Sequence, residues 1–257
     1  MTAEAIVKSQ ARNILKDNFV KAIVAMLIVL LPFYMIDGAT TALSCAYINF
    51  VSDEKMIKIM VYAIGYPLSL IAGFLLSPLM NGYIRAHYKA AYTNNIDLRD
   101  VFYYFSAQHY GSALQLNIRY ILRMIVPSIL LFAPLIAFEV VSAAIGSDFY
   151  GTILYNDVYF ILAALSTLAT SLYAIRYFTV FTVSADNPQF TPQQVFAYNK
   201  YIMKQHTGSV AKLICSFIPW LLLGLLVLPL LYVIPYMTQS LCVSAKWLTK
   251  AALENDP

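Results

Sequence analysis

The sequence predicts an all-α, polytopic membrane protein with about six transmembrane helices in three hairpins. Each hairpin is preceded by a cytoplasmic amphipathic helix, and both termini are cytoplasmic. Three observations lead there. Of the 257 residues, 60% are hydrophobic and 12% charged, with a mean hydropathy of +0.67. A water-facing surface draws on about 25% charged residues, and this inventory does not supply them. The apolar residues gather in runs of the roughly 20 residues that cross a bilayer as a helix. A short pattern also recurs at the foot of three runs: KDNFVKAI from Lys16, AQHYGSAL from Ala107 and KQHTGSVA from Lys204. Asn18, His109 and His206 hold the same place in it, 91 and 97 residues apart. A long, nearly constant period marks a repeated supersecondary unit. The chain therefore reads as one integral membrane domain over 1–257, with pseudo-repeats at about 1–80, 97–183 and 191–250.

The first element, at residues 3–18, is amphipathic. Val7, Ala11, Ile14 and Leu15 share one face at helical spacing, and Lys8, Arg12 and Lys16 form a basic stripe on another. Such a helix beside a span lies in the headgroup layer and attracts anionic lipid. The same pattern fits a lead-in helix packed on neighbouring loops. A first span follows at about 19–36, then a polar-to-mixed outer segment at 37–58. The second span, about 59–80, carries Gly65, Pro67, Gly73 and Pro78. Proline frees a backbone carbonyl and bends a span, while glycine lets neighbouring helices approach.

Residues 82–120 are the longest polar stretch. Within it Leu98, Val101, Phe102 and Phe105 form an α-helical stripe behind Asp97 as N-cap. The third span, about 121–145, holds Pro127 and Pro134. An outer loop at 146–157 and a fourth span at about 158–183 come next. Asp186-Asn187-Pro188 ends that helix, because the residue before proline is pushed out of the helical region. Thr191, Pro192 and Gln194 then spell a capping box opening an amphipathic helix, with Gly208 as its stop. The last apolar run is too long for one span. It divides into helices at about 210–227 and 230–248, with Pro229 at the turn.

Charge orients the spans. With the N-terminus inside, fifteen of the seventeen basic residues fall on the inner side or at span feet, leaving Lys55 and Lys58 outside. Cytoplasmic flanks collect Lys and Arg, so all three junction motifs are expected on the cytoplasmic side.

Ionisable residues within spans are functional candidates. Here they are Glu139, in the outer part of the third span, and Arg176, in the inner part of the fourth. Their depths differ by several turns, which separates them. Arg176 is long enough to snorkel to the inner headgroups. His109 and His206 occupy repeat positions, which favours a structural role at a corner over a metal site. The sequence has no HExxH, phosphate-binding glycine loop or nucleophile elbow. Cys45, Cys215 and Cys242 show no metal spacing. The expectation is no enzyme, no cofactor and no nucleic acid.

Several segments carry a resemblance: Ala11-Arg12-Asn13-Ile14-Leu15-Lys16 with Asn18 and Lys21-Ala22-Ile23, then Ala185-Asp186-Asn187-Pro188. Met203-Lys204, Ser216-Phe217-Ile218 with Trp220, and Pro235-Tyr236 extend it. The chain is similar to a family of bacterial integral membrane proteins, domain of unknown function 975. Gln205, Pro219 and Pro229 stand where that pattern has glycine. The junctions also resemble the membrane domain that precedes the catalytic domain of some glycerophosphodiester phosphodiesterases, without that catalytic domain. The resemblance implies a membrane module lacking its own chemistry.

The leading expectation is a scaffold or accessory subunit, multi-pass in a bacterial cytoplasmic membrane. Its partners would be the bilayer, anionic lipids, and a membrane or cytoplasmic protein. Asn18, His109, His206, Asp186 and Pro188 are the junction candidates, and Lys8, Arg12 and Lys16 the lipid-contacting ones. The alternative is a small transporter or channel for a solute or lipid, built on kinked spans around Glu139.

Overall fold

Long apolar runs with few breakers fold as helices, and a computed structural model describes residues 2–50, 65–146, 152–223 and 227–254. Helix α1 (Ala3–Phe50) leaves the helical region only at Asn18. Helices α2 (Tyr66–Leu76) and α3 (Pro78–Thr93) meet at Ser77, and a 3-10 helix, Leu98–Phe105, leads into α4 (Tyr110–Ile145). Helix α5 (Ile153–Ala174) passes through a 3-10 turn, Ile175–Tyr177, into α6 (Val180–Asp186). Helices α7 (Pro192–Met203), α8 (Thr207–Cys215), α9 (Ile218–Leu223) and α10 (Val227–Glu254) complete the order. Among the described residues there is no strand.

Four stretches are long and apolar enough to cross a bilayer: Ala3–Ala39, Tyr66–Thr93, Tyr110–Ile145 and Ile153–Asp186. The shortest has 28 residues. At about 1.5 Å per residue it still exceeds a hydrocarbon core of about 30 Å. The chain is a membrane protein. Helix α4 runs unbroken through Pro127 and Pro134, which local adjustment permits within a bilayer.

The core sits at one end of the bundle. Val7, Ala11, Ile14 and Leu15, the apolar face of the first amphipathic segment, are buried with Ala86 and Ala90 of α3, Leu213 and Phe217 around α8, and Val243 of α10. Along α4 and α5, by contrast, Leu130 is 68% exposed, Val140 65% and Phe160 68%. Apolar faces of that extent are covered by lipid or protein rather than water. Helix α3 is the hub. It packs on the 3-10 helix, α10, α6 and α1, and Gly82 is where the 3-10 helix comes closest. A Cβ at Gly82 would stand 1.9 Å from the Val101 carbonyl oxygen.

Several boundaries differ from the sequence reading, each for a local reason. Helix α1 continues through Asp37 to Phe50 because the one breaker beyond Pro32 in that stretch is Gly38, which costs a helix only about 1 kcal/mol. Residues 51–64, with Lys55, Lys58 and the start of the expected second span, lie outside the described residues. Residues 82–93, expected as polar loop, extend the second span as helix, and Arg85, His87 and Tyr88 are buried in it. Segment 98–105 is a 3-10 helix, so its period is three. Val101 and Tyr104 are buried, while Phe102 and Phe105 of the expected α-helical stripe are exposed. Asp97 caps it by accepting the Arg99 backbone N–H, and the Arg99 side-chain hydrogen bond holds the Asp97 carboxyl below its ordinary pKa.

The capping box is formed: Thr191 N–H donates to Gln194 Oε1 at 2.8 Å and Gln194 N–H to Thr191 Oγ1 at 3.4 Å. Helix α7 nevertheless ends at Met203, and Gly208 lies in the first turn of α8. The expected fifth span is broken at Ser216-Phe217, two residues before Pro219, which has no N–H for the Cys215 carbonyl. Lys8 Nζ donates to the freed Ser216 carbonyl at 3.1 Å and lies 4.3 Å over the Phe217 ring. Pro229 stands in the first turn of α10 rather than in the connection before it. There its missing N–H costs no helical bond.

Candidate functional site

The polar residues converge where spans meet their amphipathic lead-ins. Asn18 (φ −123, ψ 16), His109 (φ −110, ψ −16) and His206 (φ −112, ψ −1) share one backbone conformation, near the bridge region; Asn18 and His109 stand at the corner into a long helix, and His206 at the start of the nine-residue α8. Their side chains act differently. Asn18 Nδ2 donates to the carbonyls of Ile14 at 3.0 Å and Asn94 at 2.8 Å, and its Oδ1 accepts from Ile96 N–H at 3.2 Å. It satisfies the carbonyl freed by its own bend and pins the loop after α3. The His109 ring stacks on Tyr103 at 4.5 Å, with Nε2 2.9 Å from the Tyr103 hydroxyl. His206 lines a cavity of about 420 Å³ with Tyr201, Lys204 and Gln205.

The centre of this layer is Arg85, which is 6% exposed. Its Nε donates to Asp100 Oδ1 at 3.2 Å and its Nη1 to the Ala185 carbonyl at 2.6 Å. The guanidinium also lies 3.6 Å over the Tyr103 ring. Lys89 Nζ reaches the same Asp100 oxygen at 2.7 Å. One side chain thus ties α3 to the 3-10 helix and to the last turn of α6, where a cation also suits the helix dipole. Asp186 follows Ala185 in the chain and lies within electrostatic reach of Arg85 and Tyr88. Tyr88 and Tyr92 share a hydroxyl contact at 3.1 Å. Pro188 and His109 line one narrow cleft with Tyr104 and Ser184. Four of the junction candidates therefore fall at three places: Asp186 beside Arg85, Pro188 with His109, and Asn18 on the loop after α3.

Two further locks were not legible as sites. His87 Nδ1 meets Gln239 Oε1 at 2.8 Å, and Gln239 Nε2 donates back to the His87 carbonyl at 3.1 Å. Both residues are fully buried. The polar triplet Thr238-Gln239-Ser240 within the last apolar run is a usable signal, since polar groups there need partners. Asn199 repairs the fourth span. Its Nδ2 donates to the Arg176 carbonyl at 2.9 Å, and its Oδ1 accepts from Thr179 N–H at 3.2 Å and Thr179 Oγ1 at 2.8 Å. The amide stands in for the peptide groups missing at the 3-10 turn. Asn199→Ala should leave that buried N–H without its acceptor and destabilise the chain by about 2 kcal/mol. Thermal unfolding in detergent reads this out, and an unchanged midpoint would show that the turn does not need the amide.

The remaining candidates lie elsewhere. Glu139 accepts a hydrogen bond from the Tyr155 hydroxyl at 2.9 Å, between α4 and α5. Arg12 and Lys16 are exposed, whereas Lys8 is turned onto the α8–α9 break. Arg176 lies 5.4 Å over the Tyr173 ring and lines a second cavity, with Arg123 and Lys200. Among the described residues no group of three His, Cys, Asp or Glu side chains is placed to hold a metal. Cys215 is exposed and Cys242 buried, both as free thiols. The chemistry of the layer is pairing of donors and acceptors from different helices, with His87 Nε2 buried and left without a partner among the described residues.

A family described as "Protein of unknown function (DUF975)" matches residues 1–251 of this chain. No curated protein and no solved structure matches it.

Proposed function

We propose that this chain, which belongs to the DUF975 family of proteins of unknown function, is a non-catalytic scaffold or accessory subunit of a bacterial cytoplasmic membrane. Its six spans would be α1, α2–α3, α4, α5–α6, α8–α9 and α10, with both termini and the junction layer on the cytoplasmic side. The observation that carries this reading is how the layer uses its polar groups. Arg85 donates from Nε to Asp100 and from Nη1 to Ala185, His87 Nδ1 pairs with Gln239, and Asn18 and Asn199 brace bends. Such groups hold helices in register. The basic side chains left at the surface, Arg12, Lys16 and Lys212 among them, suit an anionic leaflet or an acidic partner.

Crosslinking and purification of the tagged chain from native membranes tests the role. A stoichiometric membrane or cytoplasmic partner is expected. Recovery of the chain alone, together with solute flux in proteoliposomes, would replace the scaffold with a transporter. Orientation has its own readout in a background lacking the three native cysteines. Ser52→Cys and Ser147→Cys should label with an impermeant thiol reagent in intact cells, and Ser106→Cys and Gln193→Cys should not. Labelling of the latter pair would overturn the six-span arrangement.

A further inference from the structure

A groove of about 570 Å³ lies between α4 at Arg123, the 3-10 turn that interrupts the fourth span, and α7. Arg123, Arg176, Lys200 and Lys204 line it, and none of its lining residues is Asp or Glu. Among the described residues none of the four is paired with a carboxylate. Four cations facing one concavity repel one another, and an anion relieves that repulsion. Two of them are held in place. The Arg123 guanidinium lies 3.7 Å over the Phe196 ring, and Arg176 projects from the turn whose carbonyl Asn199 holds at 2.9 Å. The volume matches that of small-ligand sites.

We propose that this groove binds the phosphate-bearing headgroup of an anionic phospholipid. The flanking faces supply what the acyl chains need. Val126 and Leu130 follow Arg123 at i+3 and i+7 on α4 and are 61% and 68% exposed. Leu172 and Leu168 precede Arg176 at i−4 and i−8 and are 48% and 56% exposed. Phe196 and Met203 give the groove an apolar wall beside its charges. A headgroup seated among the four cations would thus leave its chains along α4 and α5. A soluble phosphate makes no use of those faces.

The inference rests on the membrane placement and inner-side orientation proposed above, and not on the scaffold role. A bound headgroup without a protein partner would leave it standing, and a partner without a bound headgroup would remove it alone. The test is native mass spectrometry of the full chain in detergent, titrated with phosphatidylglycerol or phosphatidylcholine. One phosphatidylglycerol should be retained at least tenfold more strongly than phosphatidylcholine, and millimolar inorganic phosphate should not displace it. Lys200→Gln and Lys204→Gln alter exposed side chains, so the fold is preserved. Each should weaken retention about fivefold, from the value of one basic residue at an anionic surface. Lys250→Gln, at an exposed basic residue outside the groove lining, should retain the lipid as the parent does. Equal retention of both lipids, displacement by inorganic phosphate, indifference to Lys200→Gln and Lys204→Gln, or an equal loss in Lys250→Gln would each overturn the assignment.

Discussion

Arg85→Met should cost the protein about 3 kcal/mol, because breaking a buried, hydrogen-bonded ion pair by removing one partner strands the other. Two groups lose their donor at once: the Asp100 carboxylate, left to Lys89, and the Ala185 carbonyl at the end of α6. Arg85→Lys keeps the charge. It loses the planar fork that reaches both acceptors and the stacking on Tyr103, so an intermediate loss is expected. Asp100→Asn should destabilise as well, and the double variant Arg85→Met, Asp100→Asn should fall short of the sum of the two single losses, since the two share one interaction. Unfolding of the full chain in detergent, followed by helical circular dichroism, measures all four. Additive losses, or an Arg85→Met midpoint within a degree of the parent, would show that the clamp does not join these helices.

Gly82→Ala should be of similar size, about 3 kcal/mol, by overpacking. The added methyl would meet the Val101 carbonyl oxygen at 1.9 Å and its carbon at 2.5 Å. Both atoms are backbone and cannot swing aside. Helix α3 and the 3-10 helix would have to separate by more than an ångström. Arg85 and Lys89 follow Gly82 at i+3 and i+7 on the same face, so that separation also stretches the bonds to Asp100. Gly111→Ala and Gly208→Ala are the controls: nothing lies within 4 Å of an added Cβ at either, and both are helical. Removing glycine's backbone freedom there should leave stability unchanged or raise it by up to about 1 kcal/mol. If Gly82→Ala tracks these controls, the close approach is not part of the folded protein.

The polar layer therefore links local chemistry to architecture through a single helix. In α3, Asn81 Nδ2 donates to Asn117 Oδ1 at 3.1 Å, and Asn117 Nδ2 to Ser77 Oγ at 2.7 Å, which ties α3 to α4. Gly82 and Arg85 face the 3-10 helix, and His87 faces α10. A helix polar on several sides needs a partner on each of them, and α3 has one. Read as sequence, the same residues resemble a solvated loop, because Arg85, His87 and Lys89 look alike whether water or protein satisfies them.

What the sequence determined by itself is whatever depends on neighbours along one continuous stretch of chain. Hydropathy over 20-residue windows marks the membrane class. The i, i+4 spacing selects Val7, Ala11, Ile14 and Leu15 as a buried face. Thr191 with Gln194 closes a capping box, and the junction pattern picks out three residues with one backbone conformation. Each rests on composition, spacing, dihedral preference or hydrogen bonds along one continuous stretch of chain. The tertiary structure alone decided which polar groups lose water and what replaces it. Arg85 finds a carbonyl 100 residues away, His87 an amide 152 residues away, and Asn199 bridges a break in a segment, 173–182, that contains neither glycine nor proline. Segment 98–105 adopts a three-residue period for a related reason: its burial is set by Gly82 and Arg85 across the contact. Desolvation depends on what packs alongside, and that is a property of the assembled bundle, not of any one stretch of chain.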